Sequence, residues 1–341
     1  MKRGIICGLA VLTLALMAQS LPAADNVRIR LGTLAPKDTS FHKTLMQMGD
    51  KWKQATGGNV SLMVYTDGTM GGEGDMVRRM RLGQLQGAML TVGGLLQIDE
   101  SVTALQLMPM MFRSFEEFDF VQERMRPTLE KKFEAKGFVV LFWGDAGWVR
   151  FFSKKPGLMP DEFKRMKMFV WSGDARAIEV MKAVGVNAVP LEMTDILTGL
   201  QTGLVEAVPS IPVYALAGQF YGPASHMLDL NWTPLVGATV VSKRTWDSIP
   251  PAQRSVLLKA AAEAGEQIRK RARQEAEESI DAMKKRGLKV TPVSPQQLKE
   301  WEQFAETVYP RIRGKAVPAE MFDEVQRLLK EYRANGKAPA Q

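Results

Sequence analysis

The sequence predicts an α/β chain folded as two lobes across a cleft, with a long helix in its C-terminal half spanning both. Three observations predict it. Strand and helix patterns alternate in two separate stretches, the signature of crossover-connected sheets. Extended segments join those stretches. Finally, the run from Pro251 to about Met283 contains no proline after its first residue and Gly265 as its single glycine, so it reads as one helix on the order of 50 Å long at 1.5 Å per residue. Such a helix either crosses both lobes or kinks near Gly265.

The elements follow in order. Met1-Lys2-Arg3, an apolar run from Ile5 to about Ala18, and Pro22-Ala23-Ala24 form the n-region, h-region and small-residue zone of a secretory signal, assigned to 1–24. Cleavage after Ser20 and after Ala24 both fit. The apolar run is shorter than the roughly 20 residues of a spanning helix, so no membrane span is expected. Val27–Leu34 alternates as a strand, and Asp38, Thr39 or Ser40 caps a helix with Phe41, Leu45, Met48 and Trp52 on one face. Val60–Tyr65 and Gly87–Val92 are strands flanking a helix that opens at Gly71-Gly72. After a helix ending near Lys136, Phe138–Trp143 is a buried strand, Gly144–Gly147 a flexible stretch, and Trp148–Ser153 extended again. The second alternation runs through strands at Lys167–Trp171, Ala188–Pro190 and Ala207–Pro209. Further helices end the chain. The expected division is 25–147 with 236–270 as the first lobe, 148–235 with 271–334 as the second, and 335–341 as a disordered tail. Closure would hinge near Gly147 and Met166–Trp171.

Composition closes many functional classes. Of 341 residues, 45% are hydrophobic and 24% charged, which excludes a disordered chain. One cysteine excludes an internal disulfide framework and a cysteine zinc site, and two histidines, His42 and His226, leave few options for histidine-rich metal chemistry or a histidine relay. No nucleophile elbow, phosphate loop or zinc-protease motif is present, so no catalytic residue, metal or cofactor is expected. The formal charge of +8 falls to +6 without Lys2 and Arg3. Arg269–Arg273 alternates with Glu275, Glu277 and Asp281 at helical spacing, a solvated face without interleaved aromatics rather than a nucleic-acid surface.

Ligands of parallel sheets sit beyond the carboxyl ends of strands. That places Leu34, Pro36, Phe41, Met70, Gly71, Val92 and Gly93 among the candidate binding residues. Mid-chain aromatics, several beside glycine- or proline-rich segments, add Trp148, Phe169, Trp171, Tyr214 and Trp232, and Phe112, Pro209 and Ile211 complete the candidate set. Trp143, Phe151 and Phe152 read as core. An enzyme in the same cleft would need Asp67, Asp145, Asp174, Glu192 or Asp195 as a raised-pKa carboxylate, and none has a partner motif. A chaperone-like protein would instead show a large exposed apolar patch.

Three segments carry a family resemblance. Tyr65-Thr66-Asp67-Gly68-Thr69-Met70-Gly71-Gly72-Glu73, Leu107–Glu117 (LMPMMFRSFEE) and Leu200–Ala207 (LQTGLVEA) resemble, in order, motifs of DctP-type solute-binding proteins of tripartite ATP-independent periplasmic (TRAP) transporters. The resemblance implies a periplasmic binding protein fold that closes on a small-molecule ligand and delivers it to DctQ/DctM-like permease subunits. It also implies a strand arginine about eight residues before a proline, pairing bidentately with a ligand carboxylate. Counting back from Pro156 puts Trp148 there, and a second basic position falls on Phe169. Arg150 is the nearest substitute, sharing a face with Trp148 and Phe152 if the segment is extended. Loss of the clamp points to a more hydrophobic or amphipathic ligand, an organic acid among the options. It is similar to a branch associated with a tetratricopeptide-repeat (TPR) periplasmic partner.

Overall fold

The computed structural model describes residues 26–334. The signal segment 1–24 and the tail 335–341 therefore lie outside the described residues. Among the described residues, eleven strands build two sheets: β1 Val27–Thr33, β2 Val60–Tyr65, β3 Gly87–Thr91, β4 Phe138–Trp148, β5 Arg150–Ser153, β6 Met168–Trp171, β7 Ala188–Leu191, β8 Ala207–Ser210, β9 His226–Asp229, β10 Pro234–Ser242 and β11 Lys289–Pro292. The first sheet has the order β2-β1-β3-β10-β4 and the second β11-β9-β5-β8-β6-β7. Within the first, β1 runs parallel to β2 and β3, whereas β10 lies antiparallel to β3 and β4. In the second, β6 is parallel to β7 and β8, and β5 is antiparallel to β8 and β9.

Besides the long helix that leads from β10 to β11, the chain passes between the sheets at two adjacent points. One is Val149, between β4 and β5; the other is Asn231–Thr233, between β9 and β10. The crossings are tied together, since Val149 N–H donates to the Thr233 carbonyl at 2.8 Å and Trp232 N–H to the Val149 carbonyl at 3.1 Å. The glycine-rich stretch after Trp143 is not a free linker. It continues β4, with Gly144 opposite Gly237 and Asp145 opposite Val236, and Gly147 takes φ +95° beside a register shift between Pro234 and Val236.

The long helix is unbroken from Pro251 to Lys284, 34 residues. Its first half contributes Leu257, Ala261, Ala264 and Ile268 to the core beside β1 and β4, and its second half contributes Ile280 and Met283 to the core beside β5 and β8. One helix thus packs against both sheets. Gly265 marks a close approach rather than a kink: a Cβ there would lie 2.8 Å from Phe142.

The C-terminal helix Ala319–Ala334 differs from the expectation that all of 271–334 belongs with the second lobe. Its apolar face, Met321, Phe322, Val325, Leu328 and Leu329, shares a core with Phe118, Val121 and Met125 of helix Phe115–Ala135. Arg333 fixes the contact through two bonds, at 2.7 and 2.8 Å, to the fully buried Glu117. The amphipathic pattern says that this helix buries a face, and only the tertiary fold says against which lobe.

Candidate ligand-binding site

Two cavities lie between the sheets. The first, about 170 Å³, is walled by Leu34, Pro36 and Phe41 after β1, by Gly144, Asp145 and Ala146 of β4, and by Pro209, Ile211, Val213 and Tyr214 after β8. Phe142, Leu235 and Ile268 close its back. The second, about 250 Å³, lies under Val92, Gly93, Trp171, Ile178, Met181, Trp232, Trp301 and Phe304. Thr91, Val149, Phe169, Met193, Pro209 and Leu235 line both. Among the described residues, no lysine, arginine or histidine lines the first cavity, and Lys164 is the sole basic residue on the second.

The polar groups of the first cavity are mostly engaged with the protein. Glu73 begins helix Glu73–Arg81 and accepts from Thr91 N–H at 2.8 Å, Thr91 Oγ1–H at 2.7 Å and Gly94 N–H at 2.7 Å. Burial pushes its carboxyl above the usual range, bonds from Thr91 and Gly94 oppose the rise, and the charge of Glu192 adds to it. The Glu73 side chain is thus turned toward the loop that follows β3. Asp145 is likewise raised by burial but held by Arg273, whose Nη2 lies 2.7 Å from Asp145 Oδ2 and 2.5 Å from Asp119 Oδ1. Burial works against the charge of Arg273, and its bonds to Asp119 and Asp145 outweigh this and raise its pKa. The Tyr214 hydroxyl makes no hydrogen bond among the described residues. Burial, then the charges of Glu73 and Asp67, push its pKa up, so it remains a neutral donor.

The lobes meet around the cavities. Gln97 Nε2–H donates to the Gly173 carbonyl at 3.2 Å, and Arg176 pairs with Glu100. Gly93 and Gly72 permit the approach: a Cβ on Gly93 would be 3.4 Å from the Trp171 ring, and one on Gly72 2.9 Å from Glu192 Oε2. These contacts describe a closed cleft.

Of the residues picked out from sequence, Leu34, Pro36, Phe41, Ile211 and Tyr214 line the first cavity; Val92, Gly93, Trp171 and Trp232 line the second; Phe169 and Pro209 line both. Met70, Gly71, Phe112, Trp148 and Arg150 line neither. Gly71 sits at φ +92° in a turn against Asp75, and Met70 packs on the first-lobe core. Phe112 stands edge-on to Phe118 at 5.4 Å in that core. Trp148 is 8% exposed, its ring 5.0 Å from that of Phe115. Arg150 lies 3.4 Å from Asp229 and 4.0 Å from Glu277 and bonds Asn231. Burial depresses its pKa, and the two carboxylates work against that. Trp148 and Phe152 fall in different cores, because β4 ends at Trp148, the chain changes sheet at Val149 and the register shift alters which side faces the cleft. Val149, Ala146, Met193 and Leu235 were not picked out, for small or aliphatic side chains carry no sequence signal that separates a cavity wall from a core.

The model of the bacterial extracellular solute-binding protein, family 7 (DctP) matches residues 31–315. A C4-dicarboxylate-binding periplasmic protein DctP from Rhodobacter capsulatus is 26% identical over 90% of this chain and 92% of its own. The 2,3-diketo-L-gulonate-binding periplasmic protein YiaO of Escherichia coli is 25% identical over 84% and 87%. Among solved structures, a TRAP periplasmic solute-binding protein from Xanthobacter autotrophicus with bound β-D-galacturonate superposes with TM-score 0.81 at 21% identity, covering 89% of this chain and 99% of that one. One from Sulfurospirillum deleyianum with bound succinate gives 0.81 at 22%, with the same coverage. These are binding components of transporters, not enzymes. This chain, by its family-model match across most of its length, belongs to the DctP family of bacterial extracellular solute-binding proteins.

Proposed function

We propose that the protein is exported to the periplasm, where it closes on a predominantly apolar or amphipathic organic ligand and hands it to a TRAP-type permease. One observation carries the ligand class: the first cavity is walled by aliphatic and aromatic side chains and, among the described residues, by no cation. A carboxylate entering it would lose its hydration and meet the oxygens of Glu73 rather than a guanidinium, which is costly. An apolar body gains roughly 25 cal/mol for each Å² removed from water, so about 200 Å² supplies ~5 kcal/mol before the costs of ordering. The Tyr214 hydroxyl suits one neutral polar group on such a ligand. DctQ/DctM-like membrane subunits and a TPR-containing periplasmic protein complete the proposed partners.

Native mass spectrometry of protein taken from its own periplasm tests this. The expected species carries an apolar or amphipathic molecule that is lost on gentle activation. Recovery of a succinate-sized or uronate-sized acid would overturn the ligand class. Co-purification with the permease or TPR partner tests delivery.

A further inference from the structure

We propose that the two cavities form one elongated site for a single chain-like ligand, whose apolar tail passes the Phe169 wall into the second chamber. This rests on the apolar-ligand reading above and adds length and direction to it. The partition is one side chain thick, because Phe169, Val149, Met193 and Leu235 border both chambers. Phe151, Trp232 and Trp301 are locked by ring–ring contacts at 5.2 to 5.7 Å, whereas Phe169 makes none among the described residues. A ring that borders space on two sides forfeits packing there, so changing its rotamer costs less than in a filled core.

The polar groups and the volumes give the direction. In the second chamber most polar groups are engaged: Gln106 Oε1 accepts from Val236 N–H, Thr233 Oγ1–H donates to the Gln106 carbonyl, Asp174 caps a helix by accepting from Ala177 N–H, and Lys164 pairs with Asp161. The Trp232 indole N–H and the Gln106 amide N–H make no hydrogen bond among the described residues. The Tyr214 hydroxyl in the first chamber is free among the described residues. A polar end beside Tyr214 leaves the larger chamber, under Trp232 and Trp301, to the tail. The combined space, about 170 and about 250 Å³, is divided so that the larger part takes the tail.

Straight-chain 1-alkanols from hexanol to dodecanol, titrated into the mature protein with tryptophan fluorescence as readout, test the proposal. Trp171 and Trp232 line the second chamber and report its filling. Affinity is expected to rise about fourfold per methylene throughout the series, the equivalent of ~0.8 kcal/mol per buried CH₂. Ala177→Phe, which narrows the second chamber, is expected to flatten that rise; Ile178→Trp on the same wall serves if the first variant does not fold. A plateau reached by the shortest members, or a variant retaining the wild-type slope, overturns the two-chamber site and leaves the apolar-ligand reading standing. Failure of every alkanol to bind overturns both.

Discussion

Trp148→Ala separates stability from ligand affinity. The indole is 8% exposed, lies tilted against Phe115 with ring centroids 5.0 Å apart and borders neither cavity. Phe115 in turn carries the Arg273 guanidinium 4.0 Å above its ring, so the indole supports a layered contact from helix Phe115–Ala135 to the long helix. Truncating a buried aromatic costs ~3–5 kcal/mol, including the ring pair worth about 0.5–1.5 kcal/mol. Trp148→Phe keeps a ring there and is expected to cost less, about 1–2 kcal/mol. Urea unfolding at fixed pH measures both. Dissociation constants of the folded variants for the best-binding alkanol are expected to stay within about twofold of wild type. A tenfold loss of affinity, about 1.4 kcal/mol, in a Trp148→Phe protein of unchanged stability would refute the reasoning and put the indole in the binding wall.

Other expectations are smaller in scope. Gly265→Ala should destabilise by ~1–2 kcal/mol in urea unfolding despite alanine's better helix propensity, because the new methyl meets Phe142 at 2.8 Å. Arg273→Met leaves Asp145, whose side chain is wholly buried, without its counter-charge. A loss of ~3 kcal/mol is expected, and adding Asp145→Asn should recover part of it. Glu73 has a folded pKa raised above the ordinary carboxylate value, so the folded state holds its proton more tightly than the unfolded chain. Its contribution is present at acidic pH and is lost as pH rises from the unfolded value through the folded one. Glu73→Gln should remove that downward slope in a series of urea midpoints begun near pH 4.5, and an unaltered slope would assign it to another group.

Alternation of strands and helices was legible, because period-2 and period-3.6 patterns report which faces are buried whatever the partner. The long helix was legible for the same reason, since a proline-free run has few other stable forms. The loops after β1 and β3, with Leu34, Pro36, Val92 and Gly93, were placed at the cleft by the general geometry of parallel sheets, and they line the cavities. What could not be read is parity. Counting back from Pro156 reaches Trp148, but the register shift beside Pro234 and the change of sheet at Val149 decide which neighbour faces the cleft. Val149 does, and Trp148 does not. Arg150 was equally ambiguous on paper; Asp229, about 80 residues away in sequence, is its partner only through pairing of β5 with β9. Nothing local in the C-terminal helix distinguishes Glu117 from any other acidic partner for Arg333.

A crystal structure of protein purified with its natural ligand, refined far enough to place the ligand atoms, tests the central claim most directly. The account predicts apolar ligand atoms in van der Waals contact with Val149, Phe169 and Ile211, with any polar end beside the Tyr214 hydroxyl. A ligand carboxylate held by Arg150 or another cation, with Phe169 swung clear of it, would contradict the account.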